Sequence, residues 1–389
     1  MHGSSSPRRT LVLACAAHGL VHMLELATPA LLILIADEFA VGDLRMGQVV
    51  TLLGLLFGLG ALPAGLLVDR FGSRTLFVVT MWGAAGAVIL MAAAPTLAWF
   101  AGGAMLLGAS ISLYHPAGTS LLTHATEATG AVYARHGMAG NAGIASATAI
   151  VGTLGGVFGW RVAIASLALP AVVIGAAALT LRTPSQAEVR AETSRGDTRS
   201  LVLLLVAAAC MGVVYRGATT FLPKAFALAA DADGATGATV GGAFTTAALI
   251  AGIAGMYLAG RAIDAGRSRP RMFLAAAALQ APFLFAIGGL DVGPAALLPF
   301  AMGLAFFHFM TQPLANNLVA DYTPPRLRGM GYGLYFLCMF GAGSIGSTYA
   351  GWVSETWGFS RLFPALAILL VPPTIAALLM REVRSGGEA

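Results

Sequence analysis

The chain has 389 residues, a formal net charge of +5, and a composition that is 58% hydrophobic and only 10% charged. About a quarter of the residues of a soluble globular protein are charged, so this chain, with a mean hydropathy of +0.81, is not one. Its apolar runs are continuous and rich in Ala, Leu and Gly, which argues against a β-barrel, whose strands alternate apolar and polar residues.

Twelve apolar runs recur, each long enough to cross a bilayer core as a helix. The first six cover 11–36, 46–68, 75–94, 97–122, 136–157 and 161–181. The second six cover 200–228, 238–263, 272–290, 293–320, 329–352 and 360–380. The fold class predicted is an all-α polytopic membrane protein.

Span one carries His18, His22 and Glu25 at i, i+4 and i+7. At 100° per residue these form one stripe roughly 60° wide. Imidazole titrates near physiological pH and a neighbouring carboxylate raises its pKa, so the stripe suits proton uptake and release. Two histidines one turn apart also suit a divalent metal, which makes His18 and His22 the alternative metal ligands. Span two ends in a charged loop that runs from Gly65 through Asp69, Arg70 and Gly72 to Arg74. Span four holds Tyr114-His115-Pro116, and Arg135-His136-Gly137-Met138-Ala139 opens span five, which also carries Asn141. A polar stretch from Arg182 to Arg199 then separates 1–181 from 200–389.

Span seven holds Tyr215 and Arg216, the one basic residue deep in a span. A second charged loop follows span eight, with Gly260, Asp264, Gly266, Arg267, Arg269 and Arg271. Its first glycine and its aspartate both lie 195 residues after Gly65 and Asp69, about half the chain. Span ten carries His308, Gln312, Pro313 and Asn316, and Gln312-Pro313 echoes His115-Pro116. Prolines inside spans free a carbonyl and bend the helix, so spans four and ten are expected to act as hinges. Glu25 and Arg216 lie at similar depths in equivalent spans and are expected to face each other across a central cavity.

The chain therefore reads as one six-span unit written twice. With both termini in the cytoplasm, 17 of the 22 Lys and Arg fall in cytoplasmic segments and 4 in outer loops. This is the positive-inside asymmetry, and it holds in both halves. Three cysteines inside apolar runs predict neither a disulfide framework nor a zinc ribbon.

Twelve spans in a six-plus-six repeat, with the Gly65-to-Arg74 loop and its echo, resemble the major facilitator superfamily. The resemblance implies that Gly65, Asp69, Arg70, Arg74, Gly260, Asp264, Arg267 and Arg271 form cytoplasmic gating latches. The glycines are expected to permit close helix contact. His18-Gly-Leu-Val-His22, Tyr114-His115-Pro116 and Arg135 to Ala139 look more narrowly like the fosmidomycin-resistance branch of bacterial inner-membrane efflux proteins. The chain departs from that branch at His22, where an acidic residue is usual, and at Ala117, where a glutamate is usual.

The expected function is secondary active transport of a small organic solute across the inner membrane, as proton-coupled efflux. No nucleotide-binding loop and no nucleophile turn occur, so an ion gradient rather than a nucleotide is expected to drive it, and no enzyme activity is expected. The candidate substrate and proton-coupling residues are His18, His22, Glu25, His115, Asn141, Tyr215, Arg216, His308, Gln312 and Asn316. No cofactor is expected. The partners are a small-molecule substrate, protons and the lipid bilayer, with no nucleic acid, and the chain is expected to act as a monomer. The alternative function is transport of a transition-metal ion.

Overall fold

The computed structural model describes residues 7–125, 130–181, 196–324 and 327–382. Most of the expected linker, at 182–195, lies outside the described residues, as does Arg326. Among the described residues every regular element is helical. Among the described residues eleven helices are long and apolar enough to cross a membrane.

Span one is α1 (Pro7–Ala30) followed by α2 (Leu32–Phe39). Pro29 has no N–H to give the Glu25 carbonyl, and the helix resets at Leu31. Next come α3 (Asp43–Phe71) and α4 (Ser73–Ala92). Span four is α5 (Leu97–Ser112) and α6 (Tyr114–Ala125), broken at Leu113 just before Pro116, as the proline predicts. Span five is α7 (Gly130–Phe158), and span six is α8 (Trp160–Ser166) with α9 (Ala168–Ala178).

The second half starts with α10 (Thr198–Ala229), capped by Asp197, whose side chain accepts from Ser200 N. The expected linker is therefore shorter at its C-terminal end than 182–199. Asp197 lies outside the spans, and the backbone N–H of Ser200 holds its carboxyl below the usual carboxylate range. Span eight is α11 (Gly234–Asp264), and span nine is α12 (Arg269–Ala278) with α13 (Gln280–Gly289). Span ten, α14 (Pro294–Tyr322), runs uninterrupted through Pro299 and Pro313, so its backbone has no break to match the one in span four.

Span eleven differs from the regular run expected at 329–352. It is α15 (Arg328–Phe336), a π turn over Leu337–Gly341, a 3₁₀ turn over Ala342–Ser344 and α16 (Ile345–Trp357). Gly341 of the π turn lies against Gly58 of α3, and Gly343 of the 3₁₀ turn against Gly212 of α10, backbone to backbone. Such irregular turns often mark functional segments of helices. Span twelve is α17 (Phe359–Ile368) and α18 (Val371–Leu379).

Helices before residue 181 pack largely among themselves, α1 on α7 and α3 and α4 on α5. Those after residue 198 do likewise, α11 on α14 and α13 on α17. The halves meet along two seams, α3 against α16 and α7 against α11. Small residues make both seams possible. A Cβ on Gly47 would collide with the Ser347 carbonyl, and one on Gly242 with the Thr148 carbonyl. Close backbone approach of this kind is how helices associate inside a bilayer.

Candidate functional site

The stripe on α1 is buried at the contact between α1 and α10. Glu25 and Arg216 are each 1% exposed. One Glu25 carboxylate oxygen accepts from Arg216 Nη2, so an ion pair joins the two halves. Its other oxygen lies 2.7 Å from His22 Nδ1. Burying either charge alone would be costly, and each is compensated by the other.

The hydrogen bonds fix the histidine tautomers. A carboxylate held ionised by arginine can only accept, so His22 donates to it through Nδ1. His18 Nδ1 lies 2.7 Å from the carbonyl oxygen of His136, also an acceptor, so it donates there. Both Nε2 atoms are left as lone-pair acceptors, yet they face each other at 3.2 Å. Two lone pairs at that distance repel unless a cation lies between them, either a proton or a metal ion.

His115 joins from α6. Its Nε2 is buried without a partner, and its ring sits edge-on to His18 at 5.2 Å. One nitrogen from each of His18, His22 and His115 lies within 4.8 Å of the others. His136 on α7 stacks on the His18 ring with centroids 4.1 Å apart. Tyr114 donates its hydroxyl to the Ala14 carbonyl, leaving its oxygen to accept from His136 Nε2 at 3.0 Å. Sequence reasoning used His136 only for its resemblance and did not place it in the site. The available signal was glycine spacing. Gly143 lies against the Gly19 backbone, and a Cβ on Gly140 would strike the His18 ring, which brings spans one and five together.

The remaining candidates do not join this cluster. Tyr215 stacks on His308 at 4.8 Å within the second half, where His308 Nδ1 meets Gln280 Oε1 at 3.0 Å. Asn141 Nδ2 reaches Met256 Sδ across the α7–α11 seam at 2.7 Å. Gln312 is half-buried and Asn316 exposed, and the Asn316 carbonyl accepts from the Tyr332 hydroxyl at 3.0 Å.

The end of the bundle opposite Pro7 is sealed by polar contacts between the halves. Asp43, at the start of α3, accepts from Lys224 Nζ at 2.6 Å and from Ser354 Oγ at 2.6 Å. Glu355 Oε1 accepts from the Leu44 N–H at 2.9 Å. Thr51 donates to the Ser344 carbonyl at 2.8 Å about two turns deeper.

At the other end lie the repeated loops. Nothing approaches a Cβ placed on Gly65 or Gly260, so the expected close helix contact at these glycines is absent here. The glycines the backbone requires are Gly72 and Gly266, at φ +83° and +71°, where a side chain would be strained. Arg74 donates to the Leu181 carbonyl at 3.0 Å, and Arg70 lies over the Phe71 ring. In the second loop Asp264 and Arg267 are exposed. Arg271 pairs with Glu382 at 2.6 Å, and Arg269, outside the expected set, pairs with Asp321 at 2.6 Å.

Two packed helical halves tied by a buried ion pair, built from helices long and apolar enough to cross a membrane, define a polytopic membrane architecture. The family model described as Major Facilitator Superfamily matches residues 12–347, and the chain belongs to that superfamily. No curated protein matches it. Among solved structures it is similar to a bacterial homologue of the human lysosomal transporter Spinster, in an inward-facing and occupied conformation. That match has a TM-score of 0.77 at 14% identity and covers 97% of each chain. It is also similar to a nucleoside transporter, with a TM-score of 0.78 at 13% identity over 96% of this chain and 99% of that one. A peptide transporter matches with a TM-score of 0.77 at 13% identity over 95% and 93% of the two chains.

Proposed function

We propose that the chain exports a small organic solute across the bacterial inner membrane in exchange for protons. In this reading 1–181 and 200–389 rock about a central site, the segment 182–199 joins them, and both termini are cytoplasmic. The far-end seal around Asp43 and Lys224 then corresponds to an inward-facing state. The repeated Gly65–Arg74 and Gly260–Arg271 loops would latch the opposite face. The motifs in spans one, four and five support assigning it to the fosmidomycin-resistance branch.

One observation carries the reading. Glu25 is shared between Arg216 of the second half and His22 of the first. Parting the halves would strand two opposite charges in a low-dielectric interior, at a cost of several kcal/mol. A proton on Glu25 removes one of them, so protonation and the rocking motion are linked. The line from Glu25 through His22 to His18, whose facing Nε2 atoms a proton would bridge, supports a proton path on the first half.

Proton flux in proteoliposomes loaded with a pH-sensitive dye tests this, with organic solutes screened on the opposite side. A pH gradient should drive solute accumulation in the wild type. Glu25→Gln should abolish accumulation against a gradient and leave passive solute exchange. Full coupling in Glu25→Gln would end the reading.

A second reading is favoured by the three imidazole nitrogens within 4.8 Å. That donor set suits a divalent transition-metal ion as cargo. Zinc- or nickel-dependent thermal stabilisation, lost in His18→Ala and His22→Ala and accompanied by metal flux, would select it over the organic solute.

A further inference from the structure

The second half contains a cavity that the coupling site does not use. It lies at the sealed end, between the last turns of α10 and α13 and the first turns of α14 and α17, and its volume is about 180 Å³. Cavities of about 150 Å³ in protein interiors take up benzene, so this one has room for a single ring. Ala225, Ile287, Leu297, Phe359 and Phe363 supply apolar walls, and Asp291, in the turn between α13 and α14, is the one ionisable residue that lines it. Every lining residue belongs to the second half, so an occupant is not held between the halves as cargo would be.

The charge at this cavity is unbalanced. Lys224, one residue before Ala225, holds its ammonium 5.5 Å from the centre of the Phe359 ring, but that ammonium is paired with Asp43 at 2.6 Å. Among the described residues the Asp291 side chain has no hydrogen-bond or ion-pair partner. Arg361 on α17 is exposed and makes no ion pair with it. The uncompensated charge beside the apolar walls is therefore negative. A divalent metal ion does not suit it, because a single carboxylate is too few ligands and the walls offer no others. A plain hydrocarbon would fill the space and leave the carboxylate without a partner. A molecule with an apolar body and one cationic end satisfies both features.

We propose that this cavity is a binding site, outside the path between the halves, for a small amphipathic amine. The apolar body fills the space against Phe359 and Phe363, and the ammonium meets the Asp291 carboxylate at the rim. The site adjoins the seal, because the Phe359 ring that walls it also faces Lys224. It does not depend on the coupling ion or on the direction of transport, since binding is measured without a gradient.

The test uses benzylamine, which is cationic at neutral pH, and benzyl alcohol, its neutral counterpart of the same size. Saturable binding to the purified full-length protein in lipid nanodiscs is followed by ligand NMR. The benzylamine-to-benzyl-alcohol affinity ratio is compared between wild type and Asp291→Asn, so that partition into lipid cancels. The ratio should fall about three-fold in the variant at low ionic strength, within the range of an exposed ion pair. The fall should shrink at high salt, which screens such a pair. Ala225→Phe, which keeps Asp291 and fills the cavity, should abolish saturable binding of both probes. Independently of any variant, both probes should shift the ¹³C methyl signals of Ile287 in the wild type. An unchanged ratio in Asp291→Asn, binding that survives Ala225→Phe, or Ile287 signals that do not move overturns the proposal. So does the absence of saturable binding, the result expected if lipid chains fill the cavity. Loss of proton-coupled transport with probe binding intact would instead count against the transporter reading alone.

Discussion

The ion pair between the halves makes a quantitative prediction about stability. Glu25 and Arg216 are each 1% exposed, and Arg216 Nε and Nη1 have no other partner. At an effective dielectric near 20, two charges about 4 Å apart attract by about 4 kcal/mol. Glu25→Gln leaves the guanidinium buried with a neutral acceptor, and Arg216→Gln leaves a buried carboxylate with only the His22 Nδ1–H beside it. Each single variant should lose about 3–5 kcal/mol, because each strands a charge. The double variant strands none, so it should lose clearly less than the sum, with a coupling of about 2 kcal/mol or more. Equilibrium unfolding in mixed micelles, read from tryptophan fluorescence, measures all four proteins. Additive losses, with coupling below about 0.5 kcal/mol, would mean that the two residues do not stabilise each other and that the geometry at this contact has been misread.

Other outcomes follow from the seams and caps. Gly47→Val drives a side chain into the Ser347 carbonyl, so it should disfavour the far-end seal and raise the labelling rate of a cysteine placed at Thr51. Gly65→Ala meets no atom and should stay within about 0.5 kcal/mol of wild type in this state, which the same unfolding assay checks. Asp43→Asn should weaken the contacts to Lys224 and Ser354 and move the population towards opening at that end, seen as longer distances between spin labels across the α3–α16 seam. Asp197→Ala removes a helix cap and should cost about 1 kcal/mol. The Asp197 carboxyl is held below its usual range by the Ser200 N–H, so its contribution is full above the unfolded pKa. It fades as pH falls through the lower folded value, so wild type and Asp197→Ala should converge in acid.

The helical architecture was legible because a bilayer leaves a chain few choices. Runs of about 20 apolar residues in a bilayer must be helices. The stripe of His18, His22 and Glu25 was legible because helical periodicity is local. Its pairing with Arg216 was legible only as matched depth in equivalent spans. What sequence could not place depends on contacts between distant segments. His136 reads as one more residue at a helix start until Gly140 and Gly143 let α7 close on α1. The backbone role of the loop glycines was hidden for a related reason. A glycine can serve either packing or a positive φ, and the letters alone do not say which. Gly65 and Gly260 face open space, whereas Gly72 and Gly266 carry the backbone through the turn.

The two halves of the repeated fold hold different kinds of buried polar group. In the first half the buried polar groups are imidazoles whose facing nitrogens require a cation between them. In the second half the equivalent depth holds Arg216, which already carries its charge, and His308, which offers a lone pair and no charge. A cation held between the Nε2 atoms of His18 and His22 therefore changes the electrostatics at Glu25, which meets both His22 and Arg216, without changing the hydrogen-bonding demand at His308. The two groups can thus be perturbed separately, and His308→Phe should leave the Glu25–Arg216 coupling energy unchanged in the double-variant cycle. A changed coupling energy would show that the two clusters act as one.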